Sequence, residues 1–304
     1  MNSGKTILVV GSIAIDTLET PMGIRRNMVG GSASFFSIAA SMLAPIKTVG
    51  IIGDDFPEKG HDMFLSHGIN MDNVQTANGK TFCWGGRYSD DYSSRETIYT
   101  ELGVFESFSP EIKSEDRHSP LVFLGNIQPS LQLKVANLMI SPEYIISDTM
   151  NLWIDLDPDK LKDVITKSDI FLINHEEAEQ LSGTADIVAA SQIFLEMGPS
   201  VVVIKMGAEG SYVAQKNTGV FVPVYTTKNL IDPTGAGDSF AGGFVGYLSQ
   251  QPVPDFVEAA VFGSAMASFC VEGFGVEPLM FVSQEQLATR IDKIKATMSE
   301  GTTI

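Results

Sequence analysis

Short runs of β-branched and apolar residues recur at 7–10, 49–52, 121–124, 145–146, 170–173 and 201–204, and most are separated by stretches with helical periodicity. Strands joined through helices cannot pair as tight hairpins; they align in parallel, so the alternation predicts an α/β fold on a mostly parallel sheet. Helices are expected at 34–43, 57–67, 131–139, 187–197, 238–248 and 254–271, with Gly68 and Gly198 as C-terminal stops. Residues 79–100 break the rhythm: Thr81-Phe82-Cys83-Trp84 and Thr97-Ile98-Tyr99-Thr100 flank Gly85-Gly86 and Ser93-Ser94, a polar, aromatic, alternating pattern that reads as antiparallel strands. A second strand-like stretch, 13–28, follows the first buried run, so the two can pair into a small sheet serving as a lid. Two solvated hairpin loops fit the same pattern. The expected division is a large unit of 1–12, 30–78 and 101–304 with a lid of 13–29 and 79–100.

Composition narrows the function classes. Residues Lys and Arg number 20 against 37 Asp and Glu, a formal charge of -17 that repels phosphate backbones and anionic lipid headgroups, so neither nucleic acid nor membrane is an expected partner. Only Cys83 and Cys270 are present, which builds no disulfide framework or zinc site and suits a reducing cytoplasm. The run 7–10 is too short for a signal-peptide core, and 261–271 falls short of the ~20 residues that span a bilayer, so a soluble, unexported chain is expected. Gly4-Lys5-Thr6 lacks the upstream glycine and strand of a P-loop, and Gly11-Ser12-Ile13 does not supply a dinucleotide fingerprint. His175-Glu176-Glu177 lacks the second histidine of a zinc-protease motif, and His61, His67 and His118 have no metal-ligand spacing.

The most informative segment is Asp232-Pro233-Thr234-Gly235-Ala236-Gly237-Asp238, followed by 239–248 with Phe240, Phe244 and Leu248 on one helical face. A small-residue turn entering a helix leaves backbone N–H groups unpaired at the positive end of the macrodipole, which makes an anion hole. Gly235 and Gly237 lack Cβ atoms and let the backbone approach a phosphoryl group closely. Asp238 then stands where a hydroxyl beside that group can pass its proton to the carboxylate. Taken alone, the turn also reads as an ordinary Asp-capped helix start.

With Gly242-Gly243 downstream, this string resembles the C-terminal signature of the ribokinase-like (PfkB) family of carbohydrate and nucleoside kinases. Val10-Gly11-Ser12 with Asp16 resembles the family's opening strand and substrate-binding aspartate, and Gly30-Gly31-Ser32-Ala33 its di-glycine signature. Asn174-His175-Glu176-Glu177 matches the Asn-x-x-Glu element, and Ile204-Lys205-Met206-Gly207-Ala208-Glu209-Gly210 resembles the strand and turn that approach the nucleotide. The resemblance implies a ribokinase-like three-layer α/β fold with a mostly parallel central sheet and a small β-sheet lid. It also implies an ATP- and Mg²⁺-dependent kinase acting on a hydroxyl, expected to be primary, of a sugar or nucleoside.

Residue by residue, the resemblance makes Asp238 the catalytic base, with the N–H groups of Gly235, Ala236 and Gly237 stabilising charge on the transferring group. Asp16, Gly30 and Gly31 would hold the acceptor; Asn174 and Glu177 would act around Mg²⁺ through water; Thr234, Lys205, Gly207 and Gly210 would lie along the nucleotide path. The segment 263–275, with Gly273, resembles the last nucleotide-side helix and loop, and some members bind a monovalent cation there, so K⁺ near Asp232 is an expectation. The residues themselves leave other readings open. Asp16 fits a strand-end turn, Asn174 with Glu177 a capping box, Lys205 a solvated strand end and 263–275 a core helix. The family usually carries an Asn shortly after the di-glycine, where this chain reads Ser34-Phe35-Phe36, which leaves the acceptor open. Phe35 or Phe36 can stack on a nucleoside ring or pack in the core, and Trp84, Arg87, Tyr88 and Arg95 can serve a base and a phosphate or be solvated. A homodimer through the lid strands fits the family. The alternative function is a non-catalytic ligand-binding or regulatory protein, which has no reason to retain both Asp238 and the Gly235-Ala236-Gly237 turn.

Overall fold

The computed structural model describes residues 4–92 and 94–300, so Ser93 of the expected hairpin and the outermost residues of the expected large unit lie outside it. The chain begins β1 (Ile7–Val10), β2 (Ala14–Thr20), β3 (Gly23–Gly30), α1 (Ser32–Ser41), β4 (Ile46–Gly53), α2 (Glu58–Ser66) and β5 (Asn70–Ala77). It continues through β6 (Phe82–Tyr88), β7 (Arg95–Glu101), β8 (Leu121–Leu124), α3 (Pro129–Leu138), β9 (Tyr144–Ser147), α4 (Asn151–Leu156) and α5 (Pro158–Lys167). The remainder is β10 (Ile170–Asn174), α6 (His175–Ser182), α7 (Ile187–Met197), β11 (Val201–Lys205), β12 (Ser211–Gln215), β13 (Thr218–Val222), α8 (Ala236–Ser249), α9 (Phe256–Cys270) and α10 (Gln284–Glu300).

Among the described residues, nine strands form one sheet in the order β13-β12-β11-β10-β9-β8-β1-β4-β5. From β5 to β11 every pairing is parallel; only β12 and β13, a hairpin at the edge, run antiparallel. Alternate residues of β1 serve opposite layers, as they must in a sheet covered on both faces. Ile7 and Val9 pack with α1, α8 and α9, whereas Leu8 and Val10 pack with Val135 and Ala136 of α3. The chain leaves β1 for β4 on one side and later returns to β8 on the other. That reversal opens a crevice at the carboxyl ends of the strands, the place where α/β sheets bind ligands.

The four-stranded smaller sheet runs β3-β2-β6-β7, with β2 and β6 parallel and the outer pairs antiparallel. Residues 13–28 and 79–100 thus supply one sheet, with no pair of solvated loops. Leu18 and Met28 from this sheet and Phe274 from the loop after α9 bury one another, with Trp84, Tyr88 and Ile231 packed around them.

Two aromatic residues left open by sequence are core. Phe36 is fully buried and stacks on Phe123 of β8 with ring centroids 4.2 Å apart, and Phe35 is buried as well. α8 lies against α1 and α9 so closely that side chains are excluded at the crossings. A Cβ on Gly242 would come within 2.7 Å of the Phe36 carbonyl oxygen, and one on Gly243 within 2.6 Å of the Phe262 carbonyl oxygen. Gly242→Val therefore forces α8 away from α1 and is expected to cost upward of the ~1–3 kcal/mol typical of overpacking. Chemical denaturation of the variant measures it; an unchanged midpoint would show that the two helices can separate freely.

Candidate active site

Both helices that meet at Gly242 begin at a glycine with positive φ, and both N-termini face the crevice. α1 is entered through Gly31 at φ 88°, and α8 through Gly235 at φ 77°. On α1, Ser12 and Ser32 lock the entry reciprocally: each hydroxyl accepts the other residue's backbone N–H at 3.1 Å. On α8, Gly235 is required twice over. Its φ disfavours other residues, and a Cβ there would lie 2.3 Å from the Phe35 ring.

The helix starts at Ala236, so Asp238 stands in its first turn and does not cap it. The N–H groups of Gly235 and Gly237 have no acceptor among the described residues; that of Ala236 reaches the Pro233 carbonyl at 3.2 Å. Asp232 holds the turn from beneath. Fully buried, it accepts from the Thr234 N–H at 2.9 Å and, with its other oxygen, from the Gly275 N–H at 3.0 Å.

Lys205, at the end of β11, is not a solvated strand-end charge. Its ammonium is 2.5 Å from the Asp148 carboxylate and 3.3 Å from where a Cβ of Gly237 would be. Burial alone would lower its pKa, but the carboxylates of Asp148 and Glu177 outweigh burial and raise it, so the ammonium stays charged. Asp148 follows directly on β9 and was not among the residues singled out from sequence. Its position after a buried parallel strand was the available signal, since strand carboxyl ends line the crevice.

Asn174 and Glu177 do form a capping box: the Asn174 side chain accepts from the Glu177 N–H at 2.8 Å, and the Glu177 carboxylate from the Asn174 N–H at 3.2 Å. Both also line a cleft of about 710 Å³ shared with Asp148, Lys205, Asp238 and the Gly235–Gly237 turn. Gly207, at φ 57°, lines the same cleft. Gly210 packs against the Val222 carbonyl and Gly273 against Pro278, and neither lines it.

Asp16, on β2, is 4% exposed and lies against the di-glycine. A Cβ on Gly30 would fall 1.8 Å from its Oδ2, and its Oδ1 is buried with no hydrogen-bond partner. Burial and the negative charge of Asp232 push its pKa up to about 8, opposed by the Gly31 N–H. Asp238 is pushed up to about 7 by burial and by Asp148, with Lys205 acting against them; Glu177 rises to about 7 for the same two causes.

The smaller sheet reaches this machinery. The Tyr88 hydroxyl is 2.9 Å from that of Thr234, and Tyr92 donates to the Ile231 carbonyl at 2.9 Å. Arg87 faces elsewhere, paired with Glu19 at 2.6 Å, and Trp84 donates to the Thr97 hydroxyl at 3.3 Å.

The family model described as pfkB family carbohydrate kinase matches residues 6–280. A cytidine kinase of Thermococcus kodakarensis is 29% identical over 83% of this chain and 91% of its own length. A ribokinase of Haemophilus influenzae is 27% identical over 93% and 97%. Among solved structures, an Arabidopsis thaliana ribokinase complexed with ribose and ATP superposes with a TM-score of 0.76 at 22% identity, covering 95% of this chain and 99% of the other.

Three carboxyls with raised pKa values make stability depend on pH. Between about pH 4 and their folded values near 7 to 8, the folded state of Asp16, Glu177 and Asp238 retains protons that the unfolded state has released. Folding is therefore favoured at the acid end of that window, and stability falls as pH rises through it. The melting temperature is expected to drop between about pH 5 and about pH 8. Asp238→Asn and Asp16→Asn are each expected to raise the melting temperature at pH 8 and flatten the slope; a profile as steep as the parent's in both would contradict it.

Proposed function

Because the chain belongs to the pfkB family of carbohydrate kinases, and is a phosphotransferase of the sugar or nucleoside kinase kind, we propose that it moves the γ-phosphoryl group of ATP to a primary hydroxyl of a sugar or nucleoside, with Asp238 as the base. The observation that carries this reading is the convergence on one cleft of the Asp238 carboxylate, two N–H groups without acceptors and the Lys205 ammonium. Asp16 with Gly30 and Gly31 holds the acceptor in this reading. Its orphaned Oδ1 accepts from a substrate hydroxyl, which replaces the hydrogen bonds lost on burial. The acceptor hydroxyl gives its proton to Asp238 as its oxygen bonds to phosphorus, and the bond from phosphorus to the bridging oxygen breaks with its electron pair leaving on ADP. The N–H groups of Gly235 and Gly237, supported by the helix dipole, stabilise charge on the equatorial oxygens. Thr234 and Gly207 flank the donor, and the smaller sheet acts as the lid that excludes water.

The described residues contain no cluster of three or more His, Cys, Asp or Glu that could hold a metal by themselves. That suits Mg²⁺, which keeps most of its waters and arrives on phosphates, needing one or two carboxylates. Glu177 with Asn174, at the cleft wall, would meet it through water. When bound, the ion would neutralise charge on the phosphates. Asp232 supports a second, monovalent site: its buried carboxylate has hydrogen bonds to two N–H groups but forms no ion pair among the described residues.

The deciding experiment is ADP release from ATP and Mg²⁺ over pentoses, hexoses and common nucleosides, beside Asp238→Asn. Turnover with one acceptor class is expected, reduced by about 10³-fold or more in the variant; near-native turnover in the variant would refute the assignment. The rate is also expected to rise with K⁺ at constant ionic strength, and a flat titration would remove the monovalent site.

A further inference from the structure

The turn that enters α8 leans on one short stretch of chain at the end of α9. Ile231 and Asp232 donate their N–H groups to the Val271 carbonyl at 2.8 and 3.3 Å. The Cys270 thiol donates to the Thr234 carbonyl at 3.3 Å, and the Gly275 N–H donates to Asp232 at 3.0 Å. Residues 270–275 are therefore the support on which the Gly235 and Gly237 N–H groups are aimed.

Interleaved with those residues, Ser268, Phe269 and Glu272 are held by Arg290 of α10. Its guanidinium lies 3.5 Å from the Phe269 ring centroid and 4.5 Å from that of Tyr225. It donates to the Ser268 hydroxyl at 2.8 Å and pairs with Glu272 at 2.6 Å. The other Glu272 oxygen accepts from the Thr227 hydroxyl at 2.5 Å. Arg290 thus ties the end of α9 to residues 225–227, in the irregular segment between β13 and α8 that runs into Asp232. The side chains of Arg290 and Glu272 are 12% and 23% exposed, so removing one leaves the other's charge partly desolvated. Arg290 does not line the cleft, and its contacts on two rings, a hydroxyl and a carboxylate hold chain to chain.

We propose that Arg290 is a positioning residue for phosphoryl transfer, fixing the end of α9 and the 225–227 segment and, through Cys270, Val271 and Gly275, the turn whose N–H groups meet the phosphoryl group. This rests on the kinase reading above and adds to it a remote residue of α10. The coupling is physical: hydrogen bonds to a transferring group depend steeply on placement, so a turn released by a fraction of an ångström loses transition-state stabilisation while the fold persists.

The test compares Arg290→Ala, Arg290→Lys, Thr227→Val and Leu287→Ala with the parent, in steady-state kinetics at a temperature where every variant is folded, and in amide hydrogen exchange. Arg290→Ala is expected to lower kcat and kcat/KM for ATP by the same factor, about tenfold or more, with the acceptor KM within about twofold and partial recovery in Arg290→Lys. Thr227→Val cuts the link to 225–227 and leaves the ion pair. It is expected to lower kcat about threefold, and adding it to Arg290→Ala to cost nothing further, since both act along one path. Leu287→Ala removes a buried α10 side chain outside this network, and is expected to lower the melting temperature while keeping kcat within about twofold. A loss of kcat in Leu287→Ala equal to that in Arg290→Ala overturns the proposal, because any loosening of α10 would then suffice. If the parent turns over and Asp238→Asn does not while Arg290→Ala matches the parent, the kinase reading survives and this one falls. If no acceptor supports turnover, exchange still decides: amides of 231–237 exchanging about tenfold faster in Arg290→Ala, with 30–34 unchanged, support the brace, and parental exchange across 231–237 refutes it.

Discussion

The close crossing of α1 and α8 is the constraint on which the rest depends. Each helix begins at a glycine with positive φ, and the crossing fixes how far apart those two beginnings stand. Glycines on α8 allow the approach, since Gly242 admits the α1 backbone and Gly235 admits the Phe35 ring beneath the turn. Packing and chemistry therefore share residues. Phe35 belongs to the large core shared by α1, α8 and α9, yet its ring is also the floor on which the Gly235–Gly237 turn is set.

Such a site is held together against its own electrostatics. Asp16, Glu177 and Asp238 are all desolvated; Asp148 repels both Glu177 and Asp238, Asp232 repels Asp16, and the Lys205 ammonium is the countercharge to Asp148, Glu177 and Asp238. Burying carboxylates without full compensation costs stability, which the surrounding core must absorb. The same cost prepares the chemistry. In the proposed role of Asp238 as base, a carboxyl near pKa 7 is, once deprotonated, a stronger proton acceptor than one near 4, though about half of it is protonated near neutral pH. In that proposed role, stability and proton-accepting strength pull in opposite directions at Asp238.

Much of this was legible in the chain. The short apolar runs located the parallel strands because strands buried on both faces carry apolar residues almost continuously, and 79–100 stood out because a half-exposed antiparallel sheet alternates. The turn at 232–238 announced itself because few physical purposes require two glycines, a helix start and an acid so close together. What sequence missed was set by tertiary context. Asp148 is one acid among 37 Asp and Glu until β9 and β11 bring it to Lys205. The edge strands β12 and β13 and the helix α10 were passed over, although Leu287, Ile291 and Ile294 mark a buried stripe on α10 at helical spacing. Lys205, Phe35 and Phe36 each had two readings, and only the fold decides between them.

The smaller sheet completes the logic. Its strand β2 carries Asp16 to the Gly30-Gly31 entry of α1, while β6 and the following hairpin carry Tyr88, Tyr92 and Arg95 to the cleft wall. Because β2 and β6 are paired in register, with Asp16 opposite Trp84, the sheet cannot shift at one side without shifting at the other. The entry of α1 and the cleft wall are thereby joined through one sheet. The hairpin is already seated on the 230–234 turn, through Tyr88 to Thr234 and Tyr92 to the Ile231 carbonyl, while Asp16 is buried against Gly30. In the proposed reaction, where transfer to water competes, that arrangement would let one sheet both hold the alcohol and exclude water.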